Sequence, residues 1–217
     1  MTNWYHDVNE KNSFILAAIK EHPFITQLMD GSLPKDIFDF YIQQDIHYLE
    51  EYKKLLALVG TKCYSTEDVQ FFLDAATGII HVENALHQTF VSDAQKPAEI
   101  SPTCELYTSY LCKIANGGSV EEALAAILPC FTIYKDVGDY ILAEQQNKGD
   151  NPYQDWINTY GGEAFAASVS KAIEITNTYA QNAPKSTLQR MEAAFQKASK
   201  LEWMFWDSAY QKEQWKL

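Results

Sequence analysis

The spacing of the apolar residues constrains this chain more than any other feature. They recur every three to four positions over long segments, which places them on one face of an α-helix. Alternation with a period of two, which is typical of strands, is absent. The sequence therefore predicts an all-α protein, and the pattern is clearest in the segments "IFDFYIQQDIHYLEEYKKLLALV", "VQFFLDAATGIIHVENALHQTF", "VEEALAAILPCFTIYKDVGDYILAEQQ" and "TLQRMEAAFQKASKLEWMFWDSAYQ".

Clusters of helix-breaking residues separate these segments. Each following segment begins with a plausible cap, such as Ser65 with Asp68 three residues later. No break is long or biased enough to be an interdomain linker. We therefore expect about seven main helices in a single-domain helical bundle that spans residues 1–217. The breaks fall at 30–34, 63–68, 92–103, 116–119, 147–152 and 181–186.

Charge and apolar run lengths narrow the classes of function. The chain has 17 basic and 29 acidic residues, a net charge of -12, which repels nucleic-acid backbones and anionic membranes. No uncharged apolar run is long enough to span a bilayer, and the segment "MTNWYHDVNEKNS" lacks the features of a signal peptide. We therefore expect a cytoplasmic protein that binds neither nucleic acid nor membranes.

One of the four cysteines stands out. The sequence has no CxxC pair, so we expect free thiols, and most free thiols pack as small hydrophobes. Cys130, however, directly follows Pro129 and precedes Tyr134 by one helical turn. A proline inside a helix can open a kink. Cys130 is therefore either a packing residue or a reactive thiol that lines a pocket beside a hydroxyl group.

Two carboxylates lie among aromatic residues. The helix around Asp45 carries its polar face on Gln44 and Glu51, which favours an inward-facing Asp45. Farther along, Glu202 shares an aromatic neighbourhood with Phe205 and Trp206, but surface exposure is the usual fate of a lone glutamate. Asp207 is a second candidate acid on that helix, and periodicity alone does not choose between the two. The face of Asp45 also carries Tyr41, Tyr48 and Tyr52.

The aromatic content allows two interpretations. Thirteen tyrosines and five tryptophans form a heavy load for an all-helical protein, and they include Tyr107 and Tyr160. They either pack the core and an oligomer interface or form a slot for a flat, polar, heteroaromatic ligand.

A metal site is also conceivable. The segment "HVENALH" places His81, Glu83 and His87 close together. The Glu-x-x-His motif of di-iron bundles is absent, and a helix-face hydrogen bond or a core position is the more ordinary role for such histidines.

Six blocks of the sequence, in order, resemble one known family. They extend from Phe24 to Tyr210 and look like the TenA family of thiaminase II enzymes. The blocks are "FITQLMDGSLPKDIFDFYIQQD" followed by "YLEEY", then "YTSYL", "LPCFTIY", "NPYQDWINTYGGEAF" and "LEWMFWDSAY".

The resemblance implies a haem-oxygenase-like fold, a homotetramer and an enzyme without a metal or organic cofactor. It implies an aminopyrimidine aminohydrolase that salvages degraded thiamine and cleaves thiamine itself more weakly. The family's nucleophile matches Cys130, and its active-site glutamate matches Glu202 rather than Asp207. The family's substrate-holding aspartate, stacking aromatic and site tyrosines match, in that order, Asp45, Tyr48 and the group of Tyr107, Tyr134 and Tyr160.

Two departures and two alternatives remain. Ile46 and His47 stand where larger apolar or aromatic residues are expected, and Gly161-Gly162 replaces a less flexible pair, which puts substrate preference in doubt. One alternative is a metal-dependent oxidase on the same fold, with His81, Glu83 and His87 as ligands. The other is a non-catalytic pyrimidine-binding or regulatory protein in which Cys130 only packs.

Overall fold

The computed structural model describes the backbone of residues 3–90, 98–146 and 150–216, and the side chains of the same residues except 81–90. Within this part of the chain every regular element is an α-helix, so the all-α prediction is confirmed. The helices are α1 (Trp4–Lys11), α2 (Ser13–Lys20), α3 (Pro23–Asp30), α4 (Lys35–Lys62), α5 (Thr66–Phe90), α6 (Pro102–Gly117), α7 (Val120–Glu144), α8 (Gln154–Gly161), α9 (Glu163–Asn182) and α10 (Lys185–Tyr210).

The described helices outnumber the expected seven because two segments are divided. The N-terminal segment forms three helices of eight residues each, and the segment after the break at 147–152 forms α8 and α9, which meet at Gly161 and Gly162.

Asn12 separates α1 from α2, and its side-chain amide donates to the Val8 carbonyl 2.7 Å away. Pro23 begins α3 behind an N-cap at His22, and Gly31 ends it in the left-handed region. The first of these boundaries has neither proline nor glycine, so the breaker pattern does not reveal it.

The predicted cap at Ser65 is present. Its Oγ accepts a hydrogen bond from the Asp68 backbone N–H at 3.0 Å. Ser119 and Glu122 form a reciprocal capping box at the start of α7. Local side chains therefore fix where these helices begin.

Helix α7 lies at the centre of the bundle, against α6, α8, α9 and α10. It is buried over most of its circumference, and the consecutive residues 123–129 are all buried. A helix that is apolar all round needs partners on every side, which explains this position. Helix α4 packs against α5, α6 and α10 and completes the frame of the site. Among the described helices none is long and apolar enough to cross a membrane.

The polar face predicted for α4 is wrong at Gln44, which is fully buried. Its amide donates to the Glu99 carbonyl at 3.0 Å and accepts from the Ser101 backbone N–H at 2.8 Å. A glutamine side chain has both donors and an acceptor, so these two backbone partners compensate for its burial. Asp45, the next residue, is also buried and is 3% exposed.

Candidate active site

A cavity of about 540 Å³ lies between α4, α5, α7 and the junction of α8 and α9. Its floor is made of buried side chains such as Tyr48 and Tyr134. Its opposite end is lined by exposed residues, among them Asp74, Gly78 and Ala164. The cavity is therefore a closed-bottom pocket whose mouth lies between α5 and the α8–α9 junction.

The structure brings most of the predicted site residues together in this cavity. Tyr107 and Glu202 do not line it but lie next to its floor, where the Tyr107 ring packs on the Tyr48 ring with centroids 5.0 Å apart. The predicted residues that line the cavity are Asp45, Tyr48, Cys130, Tyr134 and Tyr160.

Helix α7 carries Cys130 into the cavity wall. The helix runs through Pro129 without interruption, and Cys130 lines the cavity together with Tyr134 on the next turn. From α4, the Tyr52 hydroxyl donates to the Ile127 carbonyl at 2.8 Å and ties the two helices together beside the thiol. Cys130 is half-buried, and none of the other three cysteines lines the cavity.

The surroundings of Cys130 favour the thiol over the thiolate. Burial raises the pKa of Cys130 well above its usual value, and the charge of Glu202 raises it further. The hydroxyls of Tyr48 and Tyr52 act in the opposite direction, since they stabilise the thiolate. The resting group is therefore a thiol, with hydroxyl groups beside it to support a transient thiolate.

Glu202 is a buried acid. It projects from α10, is 1% exposed, and accepts a hydrogen bond from the Tyr107 hydroxyl at 2.6 Å. Burial raises the pKa of Glu202 to about 8, the Tyr107 hydrogen bond opposes this shift, and the nearby charge of Asp45 adds to it. Its carboxyl group is therefore mostly protonated at neutral pH and is able to donate a proton.

The other candidate acid on α10 lies elsewhere. The Asp207 side chain is 40% exposed, and its Oδ1 lies 3.3 Å from His22 Nε2. Because His22 Nδ1 accepts from the Phe24 backbone N–H, the ring proton is on Nε2 and points to Asp207. Asp207 therefore fixes the start of α3 to α10 and does not face the cavity.

Tyr48 connects the thiol with the buried acid. Its ring stacks on Tyr52 with centroids 5.2 Å apart, and its hydroxyl is buried without a hydrogen-bond partner among the described residues. The same hydroxyl lowers the pKa of Cys130 and of Tyr107. It is therefore a donor poised between Cys130 and the Tyr107–Glu202 pair.

A hydrogen-bonded chain supports the opposite wall. The Trp156 indole N–H donates to the Tyr41 hydroxyl, which donates to the Tyr134 hydroxyl, each over 3.3 Å. An indole N–H can only donate, so the direction of the chain is fixed. The Tyr134 hydroxyl accepts from Tyr41, and its own proton is available to a further acceptor. Burial and the charge of Asp45 raise the pKa of Tyr134 and Tyr160 well above the usual value, so both stay neutral donors.

Sequence reasoning did not select Tyr41 or Trp156 as site residues. Tyr41 lies one turn before Asp45 on the same helix face, which was a usable signal. Trp156 had no such signal, because α8 meets α4 only in the folded molecule.

Two glycines allow α8 to approach α7. A Cβ on Gly138 would lie 2.7 Å from both the Gly161 nitrogen and the Tyr160 carbonyl carbon, closer than packed atoms allow. This contact holds the Tyr160 ring against Tyr134, with centroids 4.8 Å apart. Gly161 thus has a packing role at this contact.

The other departures from the family pattern do not line the cavity. Ile46 packs against the core, and His47 Nε2 lies 2.8 Å from the Ala98 carbonyl. The side chains of His81, Glu83 and His87 lie outside the described residues. Among the side chains that are described, no three of the metal-binding types cluster.

Comparison with known proteins gives consistent matches over most of the chain. The model of the TENA/THI-4/PQQC family matches residues 9–212. A Bacillus subtilis protein named aminopyrimidine aminohydrolase is 34% identical over 200 residues, which cover 89% of this chain and 84% of that protein.

Solved structures share the fold. A TenA homologue from Pyrococcus horikoshii has a TM-score of 0.84 at 26% identity, over 96% of this chain and 98% of that one. A Shewanella denitrificans domain of unknown function, described as having a haem-oxygenase-like fold, has a TM-score of 0.73 at 18% identity over 95% and 92% of the two chains. The expected haem-oxygenase-like fold is therefore confirmed.

Proposed function

Because the chain belongs to the TENA/THI-4/PQQC family, we propose that it is an aminopyrimidine aminohydrolase, a hydrolase that acts on a C–N bond. Its substrate is 4-amino-5-aminomethyl-2-methylpyrimidine, its products are the hydroxymethylpyrimidine and ammonia, and thiamine cleavage is a weaker activity in the same salvage route. The observation that carries the proposal is the meeting of Cys130 and Asp45 in one aromatic-lined cavity beside the buried Glu202. The name of the Bacillus subtilis relative supports the same reaction.

The cavity suits a flat, polar ring. Its volume of about 540 Å³ is within the range of small-molecule sites, and its floor is aromatic. In our proposal Tyr48 stacks on the pyrimidine, and Asp45 accepts hydrogen bonds from the ring amino group. Tyr134 and Tyr160 donate hydrogen bonds that fix the orientation of the ring and of Asp45.

The first chemical step adds sulfur to the ring. Expelling an amine from the methylene arm of an aromatic ring is difficult, because the ring donates few electrons to that bond. When Cys130 Sγ bonds to a ring carbon, aromaticity is lost and a ring nitrogen takes up a proton. Glu202 supplies that proton, and the thiol proton returns to Glu202 through the hydroxyls of Tyr48 and Tyr107. Since the resting thiol is protonated, its deprotonation accompanies the addition.

The later steps reverse the addition. Electrons of the resulting enamine break the bond from the arm carbon to nitrogen, and the arm's ammonium group leaves as ammonia. Water adds to the exocyclic carbon and loses a proton to the released ammonia. The sulfur then leaves and the ring becomes aromatic again. Glu202 returns its proton to the departing sulfur through the hydroxyls of Tyr107 and Tyr48 and takes back the proton of the ring nitrogen. The net change is the exchange of an amine for a hydroxyl group, and neither a metal nor an organic cofactor takes part.

We also propose a homotetramer in the cytoplasm. Exposed apolar side chains such as Phe14 and Trp215 offer surface for subunit contacts. The four cysteines are free, as is usual in a reducing compartment, where a thiol nucleophile is also protected from oxidation. Analytical ultracentrifugation at micromolar concentration should give a mass of four chains, and a purely monomeric species would contradict the tetramer.

The reaction is tested by an amine-release assay on the purified protein with 4-amino-5-aminomethyl-2-methylpyrimidine, with chromatographic identification of the hydroxymethylpyrimidine. We expect stoichiometric ammonia and product, with equal rates before and after treatment with a metal chelator. Tight pyrimidine binding without product would instead support the non-catalytic alternative. If the protein binds iron and loses its activity when the chelator removes that iron, the metal-dependent oxidase alternative would be supported.

A further inference from the structure

The mouth of the cavity is bordered by one face of α5. The α5 residues that line the cavity follow helical spacing and therefore form a single stripe. They are Phe71, Asp74, Ala75, Gly78 and Ile79.

Gly78 lies in this stripe at a position where a residue with a side chain would stabilise the helix more than glycine does. It lies in the interior of α5 (Thr66–Phe90), where glycine is less favourable for the helix than alanine because it loses more backbone entropy on folding. Among the described residues, no heavy atom lies within 4 Å of an ideal Cβ at this position, so none of their side chains requires the glycine. The volume that Gly78 leaves empty borders the cavity mouth.

A substrate that reacts at Cys130 must use that mouth. The buried floor is occupied by the side chains that hold the ring, while the exposed lining residues lie at the opposite end. The substituent on the methylene arm therefore points toward α5 and the α8–α9 junction. At this edge Asp74 lies one turn before Gly78, and the described lining residues include no lysine or arginine. The mouth thus suits a neutral or cationic substituent.

We propose that Gly78 is a specificity-determining residue, because it keeps the mouth wide enough for an arm substituent much larger than an amino group, such as the thiazolium ring of thiamine. The inference rests on the proposed function, since it assumes that the pyrimidine is held at the floor. A side chain at position 78 narrows the mouth and discriminates against the larger substituent more than against the smaller one.

The test compares kcat/KM for thiamine and for 4-amino-5-aminomethyl-2-methylpyrimidine in wild type and Gly78→Leu. We expect the ratio of the two values to shift against thiamine by about tenfold or more, in line with the 10–200-fold range for apolar pocket changes. The melting temperature of Gly78→Leu should be at least that of wild type, because leucine favours helix and meets no neighbour. A folded variant with an unchanged ratio would overturn the proposal.

Gly117→Leu is the matched control. Gly117 is likewise exposed, helical and without neighbours around an ideal Cβ, but it lies at the end of α6 and does not line the cavity. Gly117→Leu should leave the ratio of the two kcat/KM values unchanged. An equal shift of that ratio in both variants would contradict the inference.

Measurements of ligand binding test the role of Gly78 independently of the proposed function. If wild type turns over neither compound, the proposed function fails, and quenching of tryptophan fluorescence by thiamine and by the hydroxymethylpyrimidine still tests the mouth. Gly78→Leu should then weaken thiamine binding about tenfold more than binding of the smaller ligand. Equal effects on the two ligands would overturn the inference.

Discussion

At the scale of single residues, the buried carboxyl of Glu202 is central to the proposed mechanism. It contributes the largest charge effect on Cys130, and its raised pKa makes it an acid at neutral pH. The Tyr107 hydrogen bond holds it in one orientation. In the proposed mechanism this carboxyl exchanges protons with the Cys130 thiol through the hydroxyls of Tyr107 and Tyr48.

Glu202→Gln should abolish most turnover while it preserves binding. The amide keeps an acceptor for Tyr107 but cannot pass a proton, so we expect kcat to fall by about 10²–10⁴-fold. Asp207→Asn is the control, because Asp207 contacts His22 away from the cavity. Steady-state kinetics that show equal losses in both variants would mean that the acid is wrongly assigned.

The Glu202→Gln variant also gives a prediction for stability. The folded pKa of Glu202 is about 8, above its usual value of 4.5, so folded protein binds this proton more tightly than unfolded protein. The stabilisation that Glu202 gives the folded protein is fully present below about pH 4.5. It is lost as the pH rises to about 8, at up to about 1.4 kcal/mol of unfolding free energy per pH unit.

Denaturant unfolding between pH 5 and 9 measures this effect. Relative to wild type, Glu202→Gln should gain stability as the pH rises to about 8, and the difference should level off above that pH. Parallel curves for wild type and Glu202→Gln would contradict the raised pKa.

At the scale of helices, the contact between α7 and α8 sets the position of Tyr160. Gly138→Ala places a methyl group against the backbone of Tyr160 and Gly161, which moves only if α8 moves. We expect a loss of about 1–3 kcal/mol in the free energy of unfolding, as for other overpacked sites, together with a lower kcat. Gly117→Ala has open space and should be neutral or slightly stabilising, so a similarly neutral Gly138→Ala would refute the contact.

Periodicity predicted the long helices, because their apolar stripes are set by the local geometry of the chain. It missed the boundary at Asn12, where one amide replaces the usual proline or glycine. It also placed Gln44 on a polar face, because burial of a glutamine depends on distant backbone groups at Glu99 and Ser101. The error at Gln44 therefore arises from contacts between distant segments, whereas the error at Asn12 arises from a local side-chain hydrogen bond that periodicity does not detect.

At the scale of the whole molecule, the site is a product of tertiary packing. Helices α4, α7 and α10 each supply one of the three groups to which the proposed mechanism assigns the chemistry, Asp45, Cys130 and Glu202. Family resemblance selected these residues from the sequence. Spacing alone left Glu202 and Asp207 equivalent, and only the folded bundle separates the buried carboxyl from the half-exposed one.

The turnover of Cys130→Ala on 4-amino-5-aminomethyl-2-methylpyrimidine tests the central claim most directly, with Cys130→Ser as a second variant. The melting temperature and product binding should stay close to those of wild type, because the change removes one half-buried sulfur from a cavity wall. Because the proposed mechanism makes Cys130 the nucleophile, turnover should fall by about three orders of magnitude or more. A folded Cys130→Ala protein that keeps more than about a tenth of wild-type turnover would contradict the account.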